Sequence, residues 1–293
     1  MSKGREPLRL DVRTTLRPFV DGEFLRSDDE RSEPVAGDES VRAVRVSRND
    51  VRAAIAAAKR AFGPWAASAA AERARTLYRL AEALDARRAD LIERLKSTSK
   101  PDDADAAREA DTAVERALWY AGSADKFQSV LSAVSPVAAP FTVASARGPL
   151  GVVVAIAPDQ PALLGLTVAA LPALAAGNTV VALASETAPR CAGIFAECIA
   201  AARLPNGTLN VLTGRRIEVG PQAARDADVA GLCAYGLDAP FAAELARMAA
   251  DDFKQCRLLA APSQAEWYAD DAPSLDDLAA FTAVRTIWQP ALI

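Results

Sequence analysis

RGPLGVVVAIAPDQPALLGLTVAALPALAAGNTVVALASE, from Arg147 to Glu186, decides the fold. Gly151 to Ala157 is a run of small and β-branched residues between Gly148-Pro149 and Pro158. It is too short for a helix and apolar on both faces, so it reads as a buried parallel strand. Ala162 to Ala176 is long enough for a helix and stops at Gly177-Asn178. Thr179 to Leu183 is a second buried run. Strand, helix and strand with short joints make a βαβ unit.

Downstream the alternation continues. A helix is expected over 190–202, a turn at Leu204-Pro205-Asn206-Gly207 and a strand over 208–212. A short helix over 219–225 precedes a strand over 229–235, a helix over 241–251 and a fifth strand over 256–260. Five strands alternating with helices predict an α/β fold with a doubly wound, Rossmann-like parallel sheet.

Upstream, residues 1–16 read as a loose polar arm. Phe19 to Leu25 reads as a hairpin about Asp21-Gly22, and Val41 to Val46 as a short strand. Ser47 and Asp50 form a capping box for a helix over 49–62, ended by Gly63-Pro64. Ser68 opens a helix through Lys96, with Leu77, Leu80, Leu84, Leu91 and Leu95 at helical spacing. A third helix is expected over 104–130, so helices fill 47–130. Residues 132–146, with Pro136 and Pro140, join them to the sheet.

Composition bounds the function. The 293 residues are 51% apolar and 25% charged, with a net charge of −4, which suits a packed core and gives no basic footprint for nucleic acid. No apolar run reaches membrane-spanning length, and MSKGREPLRLDVR has no apolar core of a signal peptide, so the cytoplasm is expected. There is no histidine, which removes Ser-His and Cys-His nucleophile pairs and imidazole metal ligands. Cys191, Cys198, Cys233 and Cys256 form no CxxC pair and are expected to be buried thiols.

The wording of the central stretch resembles the cofactor-domain core of the aldehyde dehydrogenase superfamily. PALAAGNTVV, Pro172 to Val181, fits that core residue for residue, with Ser185-Glu186 in register. FVDGEF at Phe19–Phe24, AFGPW at Ala61–Trp65 and LPNGTLNVLTG at Leu204–Gly214 also match. FTAVRTIW, Phe281 to Trp288, is similar to the family's C-terminal strand. The resemblance implies a cofactor domain over 17–270, with its βαβ core over 147–262, and oligomerisation strands at 132–146 and 279–293. It implies that the catalytic domain between these parts is absent.

The departures bear on chemistry. A family dehydrogenase uses a Cys nucleophile, an oxyanion-holding Asn, a general-base Glu and a nicotinamide cofactor. Here Gln160 stands at the oxyanion position, and KQCRLLAAPS, Lys254 to Ser263, puts Leu259 at the general-base position. On that register Cys256 is an inward strand residue. Reading Gln255-Cys256 as the nucleophile motif is the disfavoured alternative, and makes Cys256 the one candidate thiol. The cofactor contacts implied by resemblance fall on Ile156, Ala157, Pro158, Leu183, Ser185, Glu186, Gly214 and Gly236, as vestiges. Leu183 replaces the lysine that holds the ribose, and Asp238 brings negative charge to the diphosphate turn.

Three functions follow as expectations. The first is a non-catalytic aldehyde-dehydrogenase-like subunit, assembled with itself or with a full-length aldehyde dehydrogenase, holding no cofactor or NAD or NADP only weakly. The second is an NAD(P)-dependent aldehyde oxidoreductase, active alone or through a partner's catalytic domain. The third is a nucleotide-binding sensor using the crevice at the strand ends.

Overall fold

The computed structural model describes residues 14–26, 31–35, 38–99, 103–137 and 140–290. The chain begins with β1 (Thr14–Leu16), β2 (Phe19–Val20), β3 (Glu23–Phe24), β4 (Ser32–Val35) and β5 (Asp38–Val44). Helices follow as α1 (Arg48–Ala67), α2 (Ala70–Ala86), α3 (Arg88–Ser99), α4 (Asp103–Ser123) and α5 (Phe127–Leu131). Next come β6 (Ala133–Ser135), β7 (Phe141–Pro149), β8 (Val152–Ile156), α6 (Ala162–Ala175), β9 (Thr179–Leu183), α7 (Arg190–Ala201) and β10 (Leu209–Leu212). The chain closes with α8 (Arg216–Arg225), β11 (Val229–Tyr235), α9 (Ala239–Ala250), β12 (Gln255–Leu259), α10 (Gln264–Trp267), α11 (Leu275–Ala279) and β13 (Thr282–Pro290).

The central sheet has the order β12-β11-β8-β9-β10-β2-β3, and its first five strands are parallel. Every residue of β8 and β9 is buried, because both faces are covered. Val153, Ala155, Val180 and Ala182 pack with α2, α4, α6 and α7. Val154, Ile156, Val181 and Leu183 pack with α1, α8 and α9. This double coverage is why the run lacks polar alternation. Asn178 fixes the βαβ joint while wholly buried. Its Oδ1 accepts from the amides of Leu150 (2.8 Å) and Gly151 (3.1 Å), and its Nδ2 donates to the carbonyls of Ala173 and Phe281 (both 2.9 Å). One amide side chain thus joins the end of α6, the entry to β8 and the entry to β13.

Several expected boundaries are corrected. α1 runs through Gly63-Pro64 to Ala67. Pro64 sits in the last turn, where its carbonyl still accepts from Ser68 N (3.1 Å). Buried Trp65 then pins that turn, its Nε1 donating to the Leu174 carbonyl (3.2 Å). Tertiary anchoring here overrides the Gly-Pro stop signal. Ser68 caps the end of α1 rather than opening α2. The single helix expected through Lys96 breaks at Arg87 (φ −103°, ψ 15°), whose guanidinium reaches Glu197 of α7 (2.8 Å). The third helix breaks after Ser123, and α5 restarts at buried Phe127. In the expected loose arm, Thr14–Leu16 pairs in parallel with β5, while residues 1–13 lie outside the described residues. The expected hairpin joins the chain's own central sheet, β2 pairing with β10.

An antiparallel sheet, β13-β7-β6, stands apart from the central one. β13 pairs with β7 along its whole length, from Thr282 opposite Pro149 to Pro290 opposite Phe141. Seven consecutive residues of β13 are exposed.

Candidate functional site

Strand order reverses between β8 and β11, so a crevice opens at their carboxyl ends. Ile156, Ala157 and Pro158 form one wall and are buried. Gly236, at φ +71°, forms the other, and a Cβ there would lie 3.5 Å from both Pro158 Cβ and Ala261 Cβ. The next turn holds Asp238, which caps α9 by accepting from Phe241 N (2.8 Å). Its carboxylate therefore occupies the helix N-terminus where an anionic ligand would otherwise be favoured. Phe241 and Leu245 fill the space between α8 and α9, since a Cβ on Gly220 of α8 would lie 3.2–3.3 Å from their side chains.

The residues after β9 are tied to the protein itself. Ser185 Oγ donates to the Asp159 carbonyl (3.0 Å) and accepts from Ala188 N (2.9 Å). Glu186 Oε1 accepts from the backbone amide of Arg216 and from its Nε (2.9 Å). The same guanidinium reaches Asp159 at 2.6 Å. Arg216 is thus a clasp between the ends of β8 and β9, held by two carboxylates. The sequence reading assigned it no role. The pairing of an Arg at the start of α8 with two acids at strand ends becomes visible only once those ends are neighbours. Leu183 is buried against the α1, α8 and α9 layer. Gly214, at φ +147°, is set apart: a Cβ there would meet Val46 Cγ2 at 3.1 Å, so it serves a close chain crossing.

Gln160 and Leu259 line two different cavities of about 310 Å³ each. Gln160 lines one with Glu109 and Tyr268. Leu259, 37% exposed, lines the other with Arg116, Tyr235 and Arg257. Trp267 and Pro262 are walls common to both. Arg257 is committed to Asp277 (2.5 Å), which also accepts from Tyr120 OH (3.1 Å) and Ser274 N (3.1 Å). Burial raises the Tyr235 and Tyr120 phenols well above their ordinary range, so both stay protonated.

Glu109 was not foreseen as a site residue. It is buried, and its Oε1 accepts from Leu163 N (2.7 Å) and Leu164 N (3.3 Å). α6 begins after Pro161 without a side-chain cap of its own, so α4 supplies the carboxylate. Desolvation raises the Glu109 carboxyl above its ordinary value, against the pull of those two amides. Pro161 at the N-cap position, in place of Ser, Thr, Asp or Asn, was the signal that an outside cap was needed.

Cys256 departs from expectation: it is exposed. β12 is the outermost strand of the sheet, and the helix layer reaches Leu258 but not Cys256. Register places Cys256 beside Leu232, on the sheet face opposite Tyr235 and Leu259. Local desolvation lifts its thiol above the ordinary value, with Lys254 opposing. The other three cysteines are buried, and desolvation lifts Cys198 to about 11 and Cys233 to about 12. A proton acceptor is lacking at Leu259, and no described cysteine is an activated thiolate beside Gln160. Among the described residues no group of His, Cys, Asp and Glu could hold a metal ion. No described helix is long and apolar enough to cross a membrane.

Comparison with known proteins agrees with this fold. The model of the aldehyde dehydrogenase family matches residues 21–287. A hydroxyisobutyraldehyde dehydrogenase of Mycolicibacterium austroafricanum is 35% identical over 255 residues, covering 85% of this chain and 50% of that protein. The NADP/NAD-dependent aldehyde dehydrogenase PuuC of Escherichia coli K12 is 31% identical over 276 residues, covering 91% and 55%. The crystal structure of an aldehyde dehydrogenase from Brucella melitensis biovar abortus superposes with a TM-score of 0.77 at 26% identity, covering 88% and 53%. The chain spans about half the length of the curated relatives it matches. With the doubly wound sheet, the crevice at its switch point and a family match along nearly the whole chain, this protein belongs to the aldehyde dehydrogenase family.

Proposed function

We propose that the chain acts as a non-catalytic member of its family, assembling through the β13-β7-β6 sheet with a second copy or with a full-length aldehyde dehydrogenase. The observation that carries this is the apolar surface of that sheet. Val284 (56% exposed), Trp288 (60%) and Phe141 (43%) lie on one face, and Ile287 (48%) and Val134 (72%) on the other. The outer edge of β13 has no strand beside it among the described residues, leaving a row of unpaired amides and carbonyls. Exposed apolar residues on both faces of an open-edged strand mark a docking element.

The crevice supports the non-catalytic half of the reading. Leu259 cannot accept a proton, Arg216 clasps Asp159 and Glu186 at the ends of β8 and β9, and the Asp238 carboxylate caps the N-terminus of α9. Native mass spectrometry and scattering-based mass at micromolar concentration test the assembly. A dimer or larger species is expected, together with no reduction of NAD or NADP when aldehydes are added. A monodisperse monomer would defeat the assembly, and aldehyde turnover abolished by Cys256→Ala would defeat the loss of catalysis.

A further inference from the structure

A cavity of about 740 Å³ lies on the flank of α8 facing away from the crevice. Gly220 turns toward α9, whereas Glu218, Gln222 and Arg225 turn toward α1. Gln222 Nε2 donates to the Arg48 carbonyl (2.7 Å), which fixes α8 against the first turn of α1. Four arginines line this cleft: Arg31, Arg48, Arg52 and Arg225.

Two nearby acids are held mainly by arginines outside the cleft, and Glu218 also acts on Arg31. Glu218 gives both carboxylate oxygens to Arg45, and Glu33 is shared between Arg45 and Arg215. Asp50 folds back onto Ser47 N (2.7 Å) within the capping box. Asp226 is the one other acid lining the cleft, and its Oδ1 accepts from Asp228 N (3.0 Å). Arg48, Arg52 and Arg225 are exposed and have no carboxylate within ion-pair distance among the described residues. On a chain of net charge −4, this is a local concentration of like charge, and a concave wall focuses it. Guanidinium forks match phosphate oxygens two at a time.

We propose that this cleft binds a small molecule through a diphosphate or triphosphate group, independently of the family's cofactor crevice. Calorimetric titration of inorganic pyrophosphate into the full chain at low ionic strength tests it. Saturable one-to-one binding is expected, weakening as salt is raised. Arg48→Glu and Arg225→Glu should each raise Kd by about tenfold or more. Arg79→Glu, an exposed charge reversal on α2, should change Kd by no more than about twofold, a bound that sets specific pairing against long-range charge. Arg52→Glu serves as a third cleft variant should either of the first two show an altered circular dichroism spectrum. Absence of saturable heat would overturn the proposal, as would equal weakening by Arg79→Glu. So would a Kd that follows Asp238→Ala but not the cleft variants, which would put the anion in the crevice. Tighter binding of a duplex oligonucleotide than of pyrophosphate would overturn it as well.

Discussion

At the scale of single residues, the same side-chain types that would perform chemistry in this fold hold the protein together. Asp238 is an N-cap, and replacing it with Ala removes the acceptor for Phe241 N. Asp238→Ala should lower unfolding free energy by about 1 kcal/mol, read as a shifted urea midpoint at unchanged slope. Glu109 gives a pH signature. Its folded-state carboxyl is raised above the ordinary value by burial, so the native state holds a proton more tightly than the unfolded chain. That contribution is complete at acid pH and is lost as pH rises from the ordinary glutamate range through the folded value. Glu109→Gln keeps an acceptor for Leu163 N without the charge. Relative to wild type, E109Q should therefore gain stability as pH rises from about 4 to 7, the interval above the ordinary glutamate value. A difference that stays flat across that interval in urea titrations would refute the assignment. Neither role was legible beforehand. Asp238 read as a charge at a diphosphate turn, and nothing singled out Glu109, because both depend on which amides the fold brings within reach.

Elements were legible where their ends are set by local chemistry. β9 and β11 fall on the expected residues, since Gly177-Asn178 and Gly236 supply the turns that bound them. The Ser47–Asp50 box starts α1 as expected, because both of its hydrogen bonds lie within four residues. Ends set by distant partners were not legible. The extension of α1 past Pro64 depends on Trp65 reaching the α6 carbonyl of Leu174, and the break at Arg87 accompanies an ion pair to α7. Trp65→Ala should accordingly cost about 3–5 kcal/mol through lost burial and the stranded Leu174 carbonyl. Pro64→Ala, which disturbs neither contact, should leave stability within about 1 kcal/mol of wild type or raise it, since a proline in a helix is a local cost that Trp65 already offsets. If the two variants unfolded at the same denaturant concentration, the terminal turn would not be held by Trp65.

For the molecule as a whole, the sequence specified the frame more fully than the surface. The βαβ core was legible because buried strands must be apolar on both faces, whatever the function. The exposure of β13 could not be read in the same way, because Val284, Ile287 and Trp288 look like core residues in a list of letters. Resemblance placed a strand there, and the structure shows both of its faces and its outer edge in the open. The hairpin matched the family equally well, and β2 pairs with β10 within the chain, which leaves β3 at the edge of the central sheet. If β13 is the assembly element, folding and association are linked by mass action. Raising chain concentration a hundredfold should then stabilise the native state by about 2.7 kcal/mol, with melting temperature rising in step. Ile287→Asp with Trp288→Asp would place charge on both faces of the strand. Both residues are exposed in the single chain, so this double variant should keep its circular dichroism spectrum while losing the concentration dependence. A wild-type melting temperature independent of concentration would leave the exposed strand without the partner its surface requires, and would return the crevice, rather than the edge, to the centre of the protein's function.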